Sequence, residues 1–383
     1  MKRRVAHAAR QGIVLGALTL FPFAFLSAHP AADVQRQRVE RRLYVADDAG
    51  AVRVYDIDRG HQLARTIAVS NSGVYKGIAA SVSLGRLYLT SNAPDTLICL
   101  DLASDREVWR KTLGSYADSP DITPDGKTLY VPYRHEDNWK AVDAETGQVK
   151  ATISVGRGKQ YDIDPIADTG PHNTWMNRAG TRVYLEVLTE PYVYIADVAT
   201  NALLGKIGPF SKGIRPFAVS DDEQRVYASV DALLGFEIGA VGGAPRWGGP
   251  MLQRIEAQVP ASRLAEIPTP PARKPHSTPS HGINIRPDQK EVWMVDGVYG
   301  YVYVFDITRP APAQIASIPL FANASERPHP GWVSFSIDGR YAYPDGGAVI
   351  DTNTKTVVAR IPTTEKLIEI DFDGTRAVAA GRR

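Results

Sequence analysis

Apolar and polar positions alternate along most of the chain in short runs, broken by Gly, Asp, Asn and Pro. Residues 86–113, RLYLTSNAPDTLICLDLASDREVWRKTL, are a clear instance. LYLT, TLICLDL and EVWRKTL carry β-branched, aromatic and leucine side chains with polar turns between them, which predicts three successive strands. The unit recurs from Thr128, Arg182, Glu291 and Tyr341, more weakly from Arg225, and first from Arg42. Before most copies a further strand leads into a PDG-like turn, as in DITPDGKT, FAVSDDEQ, INIRPDQK and FSIDGR. Four strands, here named a to d, repeating every roughly 40–50 residues are the signature of a β-propeller blade.

The predicted fold is therefore an all-β, seven-bladed β-propeller of four-stranded antiparallel blades, occupying residues 33–383. The first copy lacks its own strand a, and KLIEIDFDGTRAVAAGRR at the end supplies a strand a without c or d. Pairing these N- and C-terminal strands closes the ring and removes two exposed sheet edges. One surplus remains, because both LYVA at Leu43 and AVAA at Ala377 read as strand b, and this leaves an eighth blade open.

Composition changes this picture mainly at the N-terminus. Lys2, Arg3, Arg4 and Arg10 precede the apolar stretch GIVLGALTLFPFAFL and the small residues of SAHPAA. That order predicts a signal peptide over residues 1–32, cleaved near Ala28 or Ala32, with an uncleaved anchor as the rival. The expected location is periplasmic or secreted, with no membrane span after cleavage. Removing four basic residues takes the chain from 44 Lys+Arg against 42 Asp+Glu to 40 against 42, which gives no reason to expect nucleic acid as a partner. The single cysteine, Cys99, sits in the strand pattern TLICLDL and reads as an inert core thiol.

The motifs LYV, YDID, LDLASD, VDAETG, DVATN and SPDITPDGKTLYV resemble the bacterial YVTN-type β-propeller repeat family, over residues 42–381. The resemblance implies a seven-bladed propeller, usually exported. It implies little about activity, since the family spans surface-layer proteins, binding proteins, lactonase-like and lyase-like enzymes, and proteins near haem or quinone systems.

Propellers bind ligands where the inner strands begin. Counting back twelve residues from the aromatic of each strand b gives Lys76, Asp118, His172, Arg215, His281 and Gly331. His329 lies two residues before Gly331, on the same strand face, and Lys366 fills the slot of the last copy. A mouth ringed by these residues supports two chemistries. Lys76, Arg215 and Lys366 would hold a small anionic molecule, a carboxylate or phosphate, with Asp118 as the only acid in the ring and the candidate acid/base. His172, His281 and His329 would instead ligate one transition metal ion (copper, iron or zinc) in an exported enzyme of lyase, lactonase or oxidoreductase type. A partner protein at the mouth, or a polar mouth with no ligand, are the plainer alternatives. The strand b–c loops add His135, Glu136, Asp137, Glu186, Glu190, Asp231, Asp296 and Asp345 to the same face. The Pro-rich insertion 258–280 reads as a lid, and residues 239–250 as a protrusion or partner contact on the opposite face.

Overall fold

The computed structural model describes residues 39–47, 50–155, 170–188, 190–266, 279–321, 331–363 and 366–382. The expected signal segment, His329 and residues 267–278 of the insertion lie outside them. No helix among the described residues is long and apolar enough to cross a membrane.

Seven antiparallel sheets form the blades of a β-propeller. Their strands a to d are, in blade 1, Val74–Ser81, Arg86–Asn92, Thr96–Asp101 and Glu107–Lys111. In blade 2 strand a is only Asp121–Ile122, and strand b is Thr128–Tyr133. Blades 3 to 6 begin at Gly170–Met176, Ile214–Val219, Ile283–Ile285 and Val333–Phe335. In blade 7 the C-terminal Lys366–Asp373 is strand a, while Glu40–Asp47 supplies strand b. These two pair antiparallel from Glu40 opposite Phe372 to Ala46 opposite Lys366, closing the ring as expected.

The surplus strand has a simple resolution. Arg376–Ala380 turns back on Lys366–Asp373 and becomes a fifth strand of blade 7, on its inner side. It leads Arg382 against Trp175, with the guanidinium carbon 6.0 Å from the ring centroid. An eighth blade is not needed. Between the two ends of the channel, Trp175, Asn173, Trp332 and Arg382 line a cavity of only about 50 Å³. That is room for a water or two.

Packing explains the aromatic of strand b. Tyr88, Tyr130, Tyr184, Trp293 and Tyr343 are buried, and each cluster they join spans two adjacent blades. Tyr88, for instance, packs with Leu129, Val131 and Val142 of the next blade. Burying a large aromatic at every interface holds the ring together without a disulfide.

The turn after strand c is equally regular. Asp101, Asp143, Asp197 and Asp351 each accept the backbone N–H and hydroxyl of a Ser or Thr three residues on. Asp306 does the same with Thr308. This is the physical content of the LDLASD, VDAETG and DVATN motifs.

Residues 239–250 do not stand free. Gly242–Gly243 pairs with Arg246–Trp247, and the hairpin folds back on the outer strand of blade 3. There Arg182 lies 4.3 Å above the Trp247 ring centroid, and Gly208 donates to the Gly249 carbonyl. The described start of the insertion also packs down: in the short helix Ala261–Glu266, the buried Arg263 donates to the Phe321 carbonyl and faces the Tyr301 ring.

Candidate functional site

The strand-a slots counted from the sequence are structurally equivalent in blades 1 to 6, and a common device produces them. In blades 1 to 6 the strand-b aromatic pairs with the residue nine before it: Tyr88 with Ala79, Tyr130 with Asp121, Tyr184 with Trp175, Tyr227 with Ala218, Trp293 with Asn284 and Tyr343 with Ser334. The slot three residues earlier is therefore equivalent in all six. In blades 1, 3 and 4 the register slips there, between Tyr75 and Gly77, Pro171 and Asn173, and Ile214 and Phe217. Lys76, His172 and Arg215 sit on these β-bulges, which turn a side chain out of the pleat. A repeat that would otherwise bury a strand residue thus presents one at the mouth.

The mouth is almost dry. Asp118, His172, Arg215 and Lys366 are at least nine-tenths buried, as are Arg134, Glu186 and Asp231. Charges so placed need partners. Arg134 donates to Asp118 Oδ2 at 3.0 Å, and Arg215 stands 3.6 Å from Asp231. His172 Nδ1 lies 3.0 Å from Glu186 Oε2, and its Nε2 is 3.9 Å from Asp118 Oδ2. Asn173 donates to the same Glu186 oxygen at 2.8 Å. Burial holds the Glu186 carboxyl well above its usual range, with Asp118 nearby pushing the same way.

His281 is held differently. Its Nδ1 is 2.6 Å from the Gly331 carbonyl oxygen, and Gly331 N–H donates to Asp345 at 2.8 Å. Burial pulls the His281 imidazole down to about 3, helped by the positive charges of Arg215, Lys366 and Arg134 and opposed by the carbonyl. At neutral pH the ring is uncharged. Trp332 completes a triangle with the two imidazoles, its centroid 6.1 Å from His172 and 5.7 Å from His281, with Lys366 Nζ 5.6 Å from the Trp332 centroid. Lys76 and Arg134 both lie over Tyr116, at 5.4 and 4.7 Å. Tyr116 takes a left-handed φ of 60°, an unfavourable conformation for a residue with a side chain.

Asp118 is the only acid among the ring slots, and acids expected from the b–c connections join it: Glu186, Asp231 and Asp345 at the end of strand b reach the mouth, so that carboxylates answer part of its positive charge. Asp296 is also buried, but it caps its own turn, accepting from Val298, Tyr299 and the Tyr303 hydroxyl. The three-histidine set is not assembled by the described residues: His172 and His281 have ring centroids 6.4 Å apart, His329 lies outside the description, and no group of three His, Cys, Asp or Glu there has metal-ligand spacing. Of the remaining loop residues, His135 is exposed and Glu136 is tied to Lys140 and Ser115.

Sequence reasoning missed Arg134, Tyr116, Asn173 and Trp332. Arg134 follows strand b directly, and the b–c loop positions of the other blades could have singled it out. Trp332 adjoins the Gly331 slot, where a large side chain beside a glycine was the available signal.

Comparison with known proteins supports the architecture alone. No family model matches the chain, and no curated protein does. Among solved structures, the chain is similar to hydrazine synthase from Kuenenia stuttgartiensis at 14% identity, over 85% of this chain and 93% of that one, with a TM-score of 0.59. It is also similar to the β-propeller domain of Myceliophteria thermophila Cps50 (Swd1) at 10% identity, over 82% and 90% of the two chains, with a TM-score of 0.59. At such identities the likeness concerns the fold, which hosts many unrelated functions.

Proposed function

We propose that the protein is an exported β-propeller, of the YVTN repeat type, that binds a small anionic ligand at the mouth where its inner strands begin. One observation carries the reading: Arg134, Arg215 and Lys366, from three different blades, are each at least nine-tenths buried around the same pair of imidazoles, Arg134 through Asp118 beside His172 and Lys366 over the Trp332 ring beside His281. A buried mouth on which cations from three blades converge suits a carboxylate or another oxyanion, which gains charge-assisted hydrogen bonds in a poorly screened environment. Calorimetric titration with a panel of mono- and dicarboxylates tests it. Binding in the micromolar range is expected, weakened at least tenfold in Arg215→Gln, as the loss of one charged hydrogen bond implies. No heat from any carboxylate, or unchanged affinity in the variant, would remove the reading.

A metal-dependent enzyme at the same mouth is the second reading, and a specific feature favours it. Both imidazoles have Nδ1 against an oxygen, Glu186 for His172 and the Gly331 carbonyl for His281, as metal-ligating histidines commonly do. Elemental analysis of the purified protein beside His172→Ala/His281→Ala decides it: about one equivalent of copper, iron or zinc lost in the variant establishes the metal.

A further inference from the structure

The proposed anion site contains one group that a plain anion would leave unused. The Gly331 carbonyl can only accept, so the 2.6 Å contact fixes the proton of His281 on Nδ1. The carbonyl is itself held: Gly331 N–H is anchored by Asp345, and a Cβ on Gly282 would lie 2.9 Å from the Gly331 oxygen. Imidazole, carbonyl and strand are thus locked together. An imidazole whose one proton sits on Nδ1 carries a lone pair on Nε2 and is an acceptor there; the Trp332 ring, with Lys366 Nζ 5.6 Å from its centroid, stands 5.7 Å from the His281 ring. Among the described residues, the structure gives Nε2 no hydrogen-bond partner.

From this we infer that the site takes an anion that also carries a hydrogen-bond donor, of the hydroxycarboxylate class, with the ligand hydroxyl donating to His281 Nε2 while its carboxylate meets the cations. The inference rests on the anion reading above. A simple carboxylate gives the cations a further anionic partner but leaves the lone pair of Nε2 facing the negative ligand. A hydroxycarboxylate answers both. Sites that hydrogen-bond a ligand hydroxyl reject the analogue lacking it far more strongly than apolar pockets reject a missing methylene.

Matched pairs of probes test this on the unmodified protein: malate against succinate, 2-hydroxyglutarate against glutarate, and lactate against propionate, each by calorimetric titration. The hydroxylated member of the binding pair is expected to bind about ten- to a hundredfold more tightly. In His281→Phe, checked for an unchanged melting profile, the difference should vanish while the deoxy member keeps its affinity within a few-fold. If the variant does not fold, the wild-type pairs still decide. Equal affinity within every pair that binds overturns the hydroxyl contact and leaves the anion site standing. Failure of all six probes overturns the anion site and this inference with it. Nitrogen-15 spectra of the imidazoles give an independent reading of the free protein: a His281 ring protonated on Nε2 at pH 7 overturns the acceptor assignment.

Discussion

The protein carries two sets of carboxylates at opposite edges of its blades, and they are satisfied in contrasting ways. At the outer turns, Asp101, Asp143, Asp197 and Asp351 each find their donors within three residues, so a local stretch of sequence contains the whole interaction. At the mouth, Asp118 is answered by Arg134 and Asp231 by Arg215, each 16 residues away, while His172 and Asp118 approach each other across a blade boundary. The first set is open to water and its pKa values are lowered by hydrogen bonds. The second is buried, and there Glu186 is raised. The same residue types thus define the repeat at one edge and the chemistry at the other. The difference lies in whether the partner is local or imposed by the ring.

The largest effect should come from breaking a mouth pair. Asp118→Ala leaves the buried Arg134 without its carboxylate, and removing one partner of a buried pair costs about 3–5 kcal/mol. Urea unfolding measures it. A loss under 1 kcal/mol would mean that Arg134 finds other compensation, and the mouth would then resemble the outer turns.

A smaller contrast uses two glycines. A Cβ on Gly282, in the inner layer, would sit 2.6 Å from the Trp332 Cα, a backbone atom that cannot step aside. Gly282→Ala is expected to cost roughly 2–3 kcal/mol through overpacking between blades 5 and 6. Gly60, in the outer turn of blade 7, has φ 67° and nothing within 4 Å of its Cβ direction. Gly60→Ala then carries only the left-handed strain, about 1 kcal/mol. Equal losses in the two melting curves would show that blades 5 and 6 do not press on each other at this contact as tightly as the 2.6 Å approach implies.

These contrasts explain what could be read in advance. Strand number, blade order and ring closure follow from alternation and from turn motifs such as VDAETG, all local properties. The ring slots were legible because the nine-residue offset between strand-b aromatic and strand-a partner is constant, from Tyr88 and Ala79 to Tyr343 and Ser334. What strand b contributes to the mouth was harder. Glu186 and Asp231 look like solvated turn acids in the sequence, and only the depth of the funnel makes them buried partners of His172 and Arg215. Arg134 could be found only by carrying the b–c position over from the other blades, and Trp332 only from the glycine beside it, since each residue type occurs at its place in one blade. The strand at Ala377 was legible as a strand, but its place inside blade 7 depends on space left in the channel.

The pH dependence of the two sets should have opposite sign. The outer aspartates titrate below their unfolded values, so the stability they contribute is present above the ordinary Asp range, near 3.9, and is lost as pH falls through the folded values. Glu186 titrates above its unfolded value. Its contribution is fully present below about 4.3, the ordinary Glu range, and is lost as pH rises through the folded value. Glu369 at the ring-closing seam behaves alike, raised to about 7 chiefly by burial, so its share is lost between the ordinary Glu range and about 7. Glu186→Gln should therefore gain on the wild type as pH rises, and Glu369→Gln should do so mainly below about pH 7. Melting temperatures between pH 4 and 9 read both. A parallel pH profile for wild type and Glu186→Gln would mean that Glu186 ionises as freely as an outer aspartate.

The smallest expected effect is at the outer turns themselves. Asp143 accepts from the backbone of Glu145 and Thr146 and from the Thr146 hydroxyl, at 3.2, 2.9 and 2.9 Å. In Asp143→Ala, water replaces the carboxylate for these donors, because the turn is open. The cost should be about 0.5–1 kcal/mol, near the value of a solvent-exposed cap. Screening by water keeps the Lys150 ion pair at 3.7 Å from adding much. The loss should also fade as pH falls below the ordinary Asp range, near 3.9, and through the lowered folded value. A loss of several kcal/mol, or one indifferent to pH, would mean that the outer turns hold the blade together in a way their exposure does not suggest. In that case the line between repeat-forming and mouth-forming carboxylates would have to be drawn by something other than burial.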